Sequence, residues 1–301
     1  MRGREFILQK HSPSDWSSGA ERSMSHPDLQ DNRERIEIEL LLEGIYKLYG
    51  YDFRNYAYNS LRRRIWHQVQ AMKLGSISAL QEKVLHDPAS MRQLVKSIMI
   101  HVTEMYRDPS LFLAFREKVV PLLHTYPFIR IWHAGCSTGE EVFSMAVLLH
   151  EEGLYHKSRI YATDVSEDIV NQARTGTFPL SKMQSYTKNY MLAGGTGAFS
   201  QYYSASGSKV TFHPFLKENI VFARHNLVTD RSFNEFHVIF CRNVLIYFNK
   251  SLQDHVHHLF YESLAPLGVL ALGNRESINF SRHADGYEAL DCRERLYRKI
   301  R

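Results

Sequence analysis

The sequence predicts an α/β chain: a mostly parallel sheet, preceded by a small all-helical unit and interrupted by a small antiparallel lobe. Three observations carry this. Residues 36–99 place apolar side chains at helical spacing, with no strand pattern among them. From residue 129 onward, short apolar strands alternate with helices, which requires crossover connections and so a parallel sheet. A polar and aromatic tract at about 178–215, containing Gly194-Gly-Thr-Gly197 and Gln201-Tyr-Tyr-Ser204, breaks that alternation.

The elements follow in order. Residues 1–34 are polar, with Ser-Pro, Ser-Ser-Gly and Ser-His-Pro pieces, and read as a disordered arm or leader. Helices are expected at 36–49, 55–72, 77–85 and 90–99, forming a helical domain over 35–100. Residues 101–128 read as a linker and motif segment. The main domain spans 129–301. Its strands are expected at 129–135, 159–164, 220–223, 236–241 and 268–273, its helices at 140–151, 166–175 and 251–264, and a terminal hairpin at 287–300. The insert at 178–215 is expected to be an exposed lobe, without which the main sheet can close. Its Gly194, Gly195, Gly197, Tyr202 and Tyr203 would present edge strand and aromatic surface to a partner peptide.

Composition narrows the class. The chain has 301 residues, a formal charge of +5 and 44 % hydrophobic residues, which suits one large or two smaller folded domains. No apolar run approaches the roughly 20 residues of a membrane span, and no secretory segment opens the chain, so a cytoplasmic location without membrane insertion is expected. A basic surface suits nucleic acid, anionic lipid or an acidic protein, or is merely solvated. Cys136, Cys241 and Cys292 are widely separated and form no CxxC pair, against a zinc site or disulfide framework. Cys136 and Cys241 read as small buried residues. His255, His257 and His258 lack the four-residue spacing of a paired-histidine zinc helix, so no metal is expected.

The strongest constellation is Ala134-Gly-Cys-Ser-Thr-Gly-Glu-Glu141, between a strand and a helix. Gly135 allows a sharp turn and close approach of a ligand. Gly139 allows close helix packing, and the helix N-terminus favours a carboxylate. Ser137 stands where the dinucleotide fingerprint needs its central glycine, and no P-loop Lys follows. Two acidic residues, Glu140 and Glu141, would repel phosphates yet tolerate an ammonium or sulfonium, which points to S-adenosylmethionine over NAD or ATP. Asp164 ends the second strand at a spacing suited to ribose hydroxyls, with a helix N-cap as the competing account. Asn226 and Leu227 follow another strand, suited to holding an adenine or to forming a turn. Arg242 and Asn243 end the apolar strand at 236–241, where ligands of open α/β sheets bind, and Tyr247 follows shortly after.

Together with Thr103-Glu-Met-Tyr-Arg-Asp108, Ala162-Thr-Asp164, Phe240-Cys-Arg-Asn-Val-Leu-Ile-Tyr-Phe248 and Leu272-Gly-Asn-Arg-Glu-Ser277, these motifs resemble the chemotaxis receptor methyltransferases, the CheR family, in family order across 36–301. The resemblance implies a Rossmann-like class I methyltransferase sheet with an all-helical N-terminal domain and an inserted antiparallel β-subdomain. It implies S-adenosylmethionine-dependent methylation of glutamate carboxylates on methyl-accepting chemotaxis receptors, giving S-adenosylhomocysteine. By that resemblance Thr103, Arg107, Glu141, Asp164, Asn226, Leu227, Arg242 and Asn243 match cofactor-binding positions. Glu140 is not separable from Glu141 by sequence. Arg107 and Tyr247 match positions facing the methyl and the incoming carboxylate. The departures are Met105-Tyr106 for a double Phe, Val142 for Pro, His237 for Asp, and a long insert, which weighs against binding of the usual receptor-tail peptide.

Methyl transfer from a sulfonium to an ionised carboxylate needs alignment and no general base. Arg107 offers a planar fork to orient the carboxylate. Arg62, Arg63 and Arg64, on the second helix, are expected to dock an acidic receptor surface. The rival reading, a nucleic-acid grip, is disfavoured because the run is short and no aromatic stacking pattern or groove-reading motif accompanies it. A non-catalytic S-adenosylmethionine-binding scaffold on the same fold is the alternative function.

Overall fold

The computed structural model describes residues 26–99 and 103–301. Four helices come first: α1 (His26–Tyr49), α2 (Tyr58–Ala71), α3 (Ile77–His86) and α4 (Pro88–Ile98). Ser76 caps α3 by accepting the Ala79 N–H at 3.1 Å. Asp87 caps α4 through the N–H groups of Ala89 and Ser90, and Pro88 takes the first helical position, where a missing N–H leaves nothing unpaired. Their apolar faces close on a separate core that includes Ile38, Leu41, Ile45, Leu61, Ile65, Leu80 and Leu94.

Helix α1 starts earlier than the sequence suggests. Residues 26–34, read as part of a disordered arm, are helical, and the rest of that arm lies outside the described residues. This stretch has little apolar periodicity. Charge ties down its last residue instead: Glu34 pairs with Arg62 of α2.

The segment at 101–128 is also more than a linker. It carries α5 (Pro109–Lys118) and α6 (Val120–His124), whose Leu111, Phe112, Phe115, Val119 and Leu123 are buried in the larger core. The sheet domain continues through β1 (Ile129–Ala134), α7 (Glu140–Glu151), β2 (Ser158–Asp164), α8 (Glu167–Thr175), β3 (Thr177–Pro179), α9 (Met183–Leu192), β4 (Tyr203–Ser206) and β5 (Lys209–Phe212). It ends with β6 (Ile220–Arg224), β7 (Phe236–Cys241), α10 (Lys250–Ser263), β8 (Leu264–Leu272), β9 (Tyr287–Asp291) and β10 (Leu296–Lys299).

Seven strands pair in the order β6-β2-β1-β7-β8-β10-β9. The first five are parallel, and the terminal hairpin adds β10 and β9 antiparallel. Residues of β1 alternate between two cores. Ile129 and Ile131 join Phe112, Phe115 and the apolar face of α7, while Trp132 and Ala134 join Val256 and Phe260 of α10. The chain steps from β1 out to β2 and β6, then returns to the other side of β1 through β7. The order therefore reverses beside β1, which opens a crevice at the carboxyl ends of these strands. Among the described residues no helix is long and apolar enough to cross a membrane.

The insert forms a three-stranded antiparallel sheet, β3-β5-β4, with α9 beside it. It is not the detachable aromatic lobe expected from the sequence. Phe178, Tyr186, Tyr190, Phe199, Tyr202 and Phe212 are buried in the same core as Phe143 of α7. The hydroxyls of Tyr190 and Tyr202 both donate to Glu151 of α7, which Arg116 of α5 pairs from the other side. Tyr203 is half-buried, while the rest of the edge strand β4, Ser204, Ala205 and Ser206, is exposed.

Candidate functional site

The crevice is a cleft of about 1180 Å³, its open mouth included. Thr103, Arg107, Gly135, Glu141, Asp164, Asn226, Leu227, Arg242, Asn243 and Tyr247 all line it. Glu140 and the arginines of α2 do not.

The turn after β1 is built around glycine. Gly135 has φ +79°, and a Cβ there would lie 2.5 Å from Cγ2 of Val244. Ser137 adopts φ +50°, the left-handed conformation that the glycine it replaces would take freely. Its amide donates to Asp164 Oδ2 at 3.0 Å, and the other carboxylate oxygen accepts the Ser166 N–H at 3.2 Å. Asp164 thus ties two turns together while facing the cleft. The Ser137 amide is therefore bonded within the protein. Gly139, at φ +95°, lets α7 approach α8: a Cβ there would meet that of Ala173 at 3.1 Å.

The structure separates the two glutamates, because successive helical residues point in different directions. Glu141 turns inward, where His133 Nδ1 lies 2.9 Å from Oε1 and Arg242 donates to Oε2 at 2.8 Å. Burial works to raise its pKa. The His133 bond and the Arg242 charge outweigh burial and hold the carboxyl down to about 2. Arg242 reaches Asp108 with its other arm, which joins the motif segment to β7. Glu140 turns towards the insert: it accepts from Thr138 Oγ1 at 2.5 Å and Tyr186 OH at 3.3 Å, and burial raises its pKa. The expectation of two acids facing a cationic ligand is corrected accordingly: one faces the cleft, already paired with Arg242.

Asn226 does what a turn-forming Asn does. Its Oδ1 accepts the Val228 N–H at 3.0 Å, and its own N–H donates to Asp230 at 2.9 Å. It lines the cleft beside the largely buried Leu227 all the same. Arg107 sits between two left-handed residues, Tyr106 at φ +49° and Asp108 at +56°. This strained segment is held from the insert: Asn189 Nδ2 donates to Met105 O at 3.1 Å, and the buried Tyr106 ring packs on Tyr190 and Phe199.

Other residues escaped the sequence reading. Tyr56, Ile98 and Met99 bring the helical domain into the cleft wall. Glu276 is buried beyond β8, and its carboxylate accepts four backbone N–H groups. Those of Val244 and Leu245 reach Oε1 at 2.9 and 2.8 Å; those of Asn243 and Gly273 reach Oε2 at 3.0 and 2.7 Å. It thereby fixes the segment carrying Arg242, Asn243 and Tyr247. An acidic residue just past an apolar strand, in Gly273-Asn-Arg-Glu276, was the available signal.

The three arginines of α2 diverge. Arg62 is exposed and paired with Glu34, and Arg63 is exposed. Arg64 is buried, 6 % exposed, which removes it from any solvated docking face. Cys136 and Cys241 are buried, and burial pushes both thiols well up. Among the described residues no group of three or more His, Cys, Asp or Glu side chains is placed to hold a metal. His257 is buried while His258 faces His283 at 2.9 Å.

A sheet order that reverses beside β1, a glycine turn at the end of β1, an acid at the end of β2 and a cleft across both define the class: a Rossmann-like, S-adenosylmethionine-dependent methyltransferase. The chain belongs to the CheR methyltransferases. Residues 36–99 match the family's all-alpha domain, and residues 101–295 match its SAM binding domain. It is 50 % identical over 264 residues to "Putative methyltransferase Cher3" of Pseudomonas putida, covering 88 % of this chain and 97 % of that one. It is 28 % identical over 231 residues to a chemotaxis protein methyltransferase of Listeria monocytogenes, covering 76 % and 85 %. With chemotaxis protein methyltransferase 2 of Pseudomonas aeruginosa the identity is 26 % over 256 residues, covering 83 % and 89 %.

Proposed function

We propose that this enzyme methylates glutamate side chains of a methyl-accepting chemotaxis receptor, forming methyl esters and S-adenosylhomocysteine. The observation that carries the reading is that Arg107 and Tyr247 share one cleft with Gly135, Asp164 and Leu227. The residues present fit the cofactor. Gly135 leaves a cradle that a Cβ would fill, Asp164 offers a carboxylate to ribose hydroxyls, and Leu227 and Asn226 offer an apolar and an amide contact to a base. Glu141, Arg242 and Thr103 complete that wall.

When bound, S-adenosylmethionine supplies a methyl group already activated on a sulfonium. A glutamate carboxylate is ionised at neutral pH, so no side chain of the cleft has to remove a proton. What remains is orientation. Arg107 presents a planar guanidinium fork that aligns the incoming carboxylate, and the Tyr247 hydroxyl donates a hydrogen bond that fixes its angle. Arg63 supplies exposed positive charge on α2 for an acidic helical substrate, beside Arg62, which would have to exchange Glu34 for it, and the exposed edge strand β4 offers a pairing surface to a partner segment.

The test is incubation of the purified protein with tritiated S-adenosylmethionine and the cytoplasmic fragment of a receptor from the same host. Label released as methanol by mild alkali supports a carboxyl ester. Alkali-stable label, or none despite bound cofactor, contradicts it.

A further inference from the structure

Arg64 of α2 is buried, away from the solvated face that carries Arg62 and Arg63. Its Nη1 donates to the Ile98 carbonyl, and its Nε has no hydrogen-bond partner. No ion pair involves it among the described residues. A guanidinium stays charged in proteins, so sequestering one without a carboxylate is costly unless something else stabilises the cation. Here that partner is a ring: the Arg64 Cζ lies 4.6 Å from the centroid of Tyr247.

The segment that carries this tyrosine is bonded to the helical domain at two points. The Ala57 N–H donates to the Tyr247 carbonyl at 2.8 Å, and the Asn249 N–H donates to the Asn55 carbonyl at 2.9 Å. Between them Tyr56 pairs with Phe248 as an antiparallel bridge, with ring centroids 5.0 Å apart. From its own domain, the turn carrying Tyr247 is anchored by Glu276 and by Gln253, whose Nε2 donates to the carbonyls of Leu245 and Phe248 at 3.0 Å, and the ring packs against the core beside α10.

We propose that Arg64 is a positioning residue for methyl transfer: reaching in from the helical domain, it fixes the ring of Tyr247 and so completes the acceptor side of the cleft. This rests on the role given to Tyr247 above. It also makes the helical domain part of the reaction site as well as a platform for receptor binding.

The test is a double-mutant cycle on the full chain with Arg64→Met, Tyr247→Phe and the double variant. Single-turnover methyl transfer to a receptor fragment is measured at saturating substrate, and S-adenosylmethionine affinity by calorimetry. Arg64→Met keeps an apolar stem but removes the cation. It should slow transfer by about ten- to a hundredfold, the scale of a slightly misplaced group, with cofactor affinity within about twofold. Arg64→Lys should recover part of the loss, and the double variant should be no slower than Tyr247→Phe alone. Wild-type turnover in Arg64→Met overturns the proposal. So do losses that multiply in the double variant, or a loss confined to a salt-dependent receptor KM, which would mark surface docking. If Tyr247→Phe alone keeps the wild-type rate, the Tyr247 reading has failed and the positioning role falls with it. Should Arg64→Met not fold, the same cycle with Arg64→Lys decides by its additivity.

Discussion

Replacing Glu276 by Gln tests how the site is built. The change preserves size and removes one acceptor oxygen. In the native chain the two oxygens accept four backbone N–H groups, two each. An amide nitrogen in place of either oxygen leaves two of those N–H groups facing another donor in a buried setting. Bonds to a charged acceptor are worth about 1.5–3 kcal/mol each, so losing two costs about 3–6 kcal/mol. That is a large part of the roughly 5–15 kcal/mol that stabilises a typical domain. The loss should appear in urea titrations as a lower midpoint with little change in slope. Because Asn243, at φ +60°, and Tyr247 sit on the released segment, calorimetry should show weaker S-adenosylmethionine binding in whatever fraction folds. A destabilisation below about 1 kcal/mol with unchanged cofactor affinity would refute the anchoring role.

Acid should destabilise the protein in two stages. Burial holds His257 down to about 4 from an ordinary value of 6.5, so the unfolded chain binds a proton that the folded chain refuses, and stability falls as pH drops through that window by about 3 kcal/mol. Glu141, held at about 2, adds a loss of similar order as pH falls from about 4.5 towards 2. Denaturant midpoints unchanged between about pH 7 and 5 would contradict the first stage. Asp164→Ala should weaken S-adenosylmethionine binding by roughly ten- to a hundredfold, and also destabilise the fold by freeing the Ser137 and Ser166 amides; unchanged affinity in calorimetry would exclude it from the cofactor site. Excising residues 177–212 should cost the native fold itself, since it strips Phe178, Tyr190, Phe199 and Phe212 from the core; a cooperatively folded, cofactor-binding remnant would show that the lobe is separable after all.

Much of the architecture was legible because it is written locally. Strands such as 129–134 and 236–241 carry apolar residues on both faces, as a sheet covered on two sides requires, and the helix at 140–151 was located to the residue. The cleft was legible for a related reason. In this topology a glycine turn, an acid and an Arg-Asn pair that each end a strand must meet at one edge. What stayed hidden depends on distant packing. Nothing near Arg64 reveals that the ring of Tyr247 will lie against it, and its neighbours Arg62 and Arg63 are exposed. The insert read as a polar and aromatic exposed lobe, yet Tyr190 and Tyr202 are buried because Glu151 of α7 accepts from both hydroxyls, and Arg116 of α5 pairs with that carboxylate in turn. Glu140 and Glu141 are neighbours in sequence with opposite surroundings, a distinction that only the helix's rotation against the sheet makes.

Tandem mass spectrometry on the receptor fragment after reaction with S-adenosylmethionine tests the central claim most directly. The account predicts a mass gain of one methylene on identified glutamate side chains, lost on mild alkali and absent when Arg107→Lys replaces the wild-type enzyme. Methylation found on lysine, arginine or a nucleic acid instead, or glutamate methylation undiminished in Arg107→Lys, would contradict it.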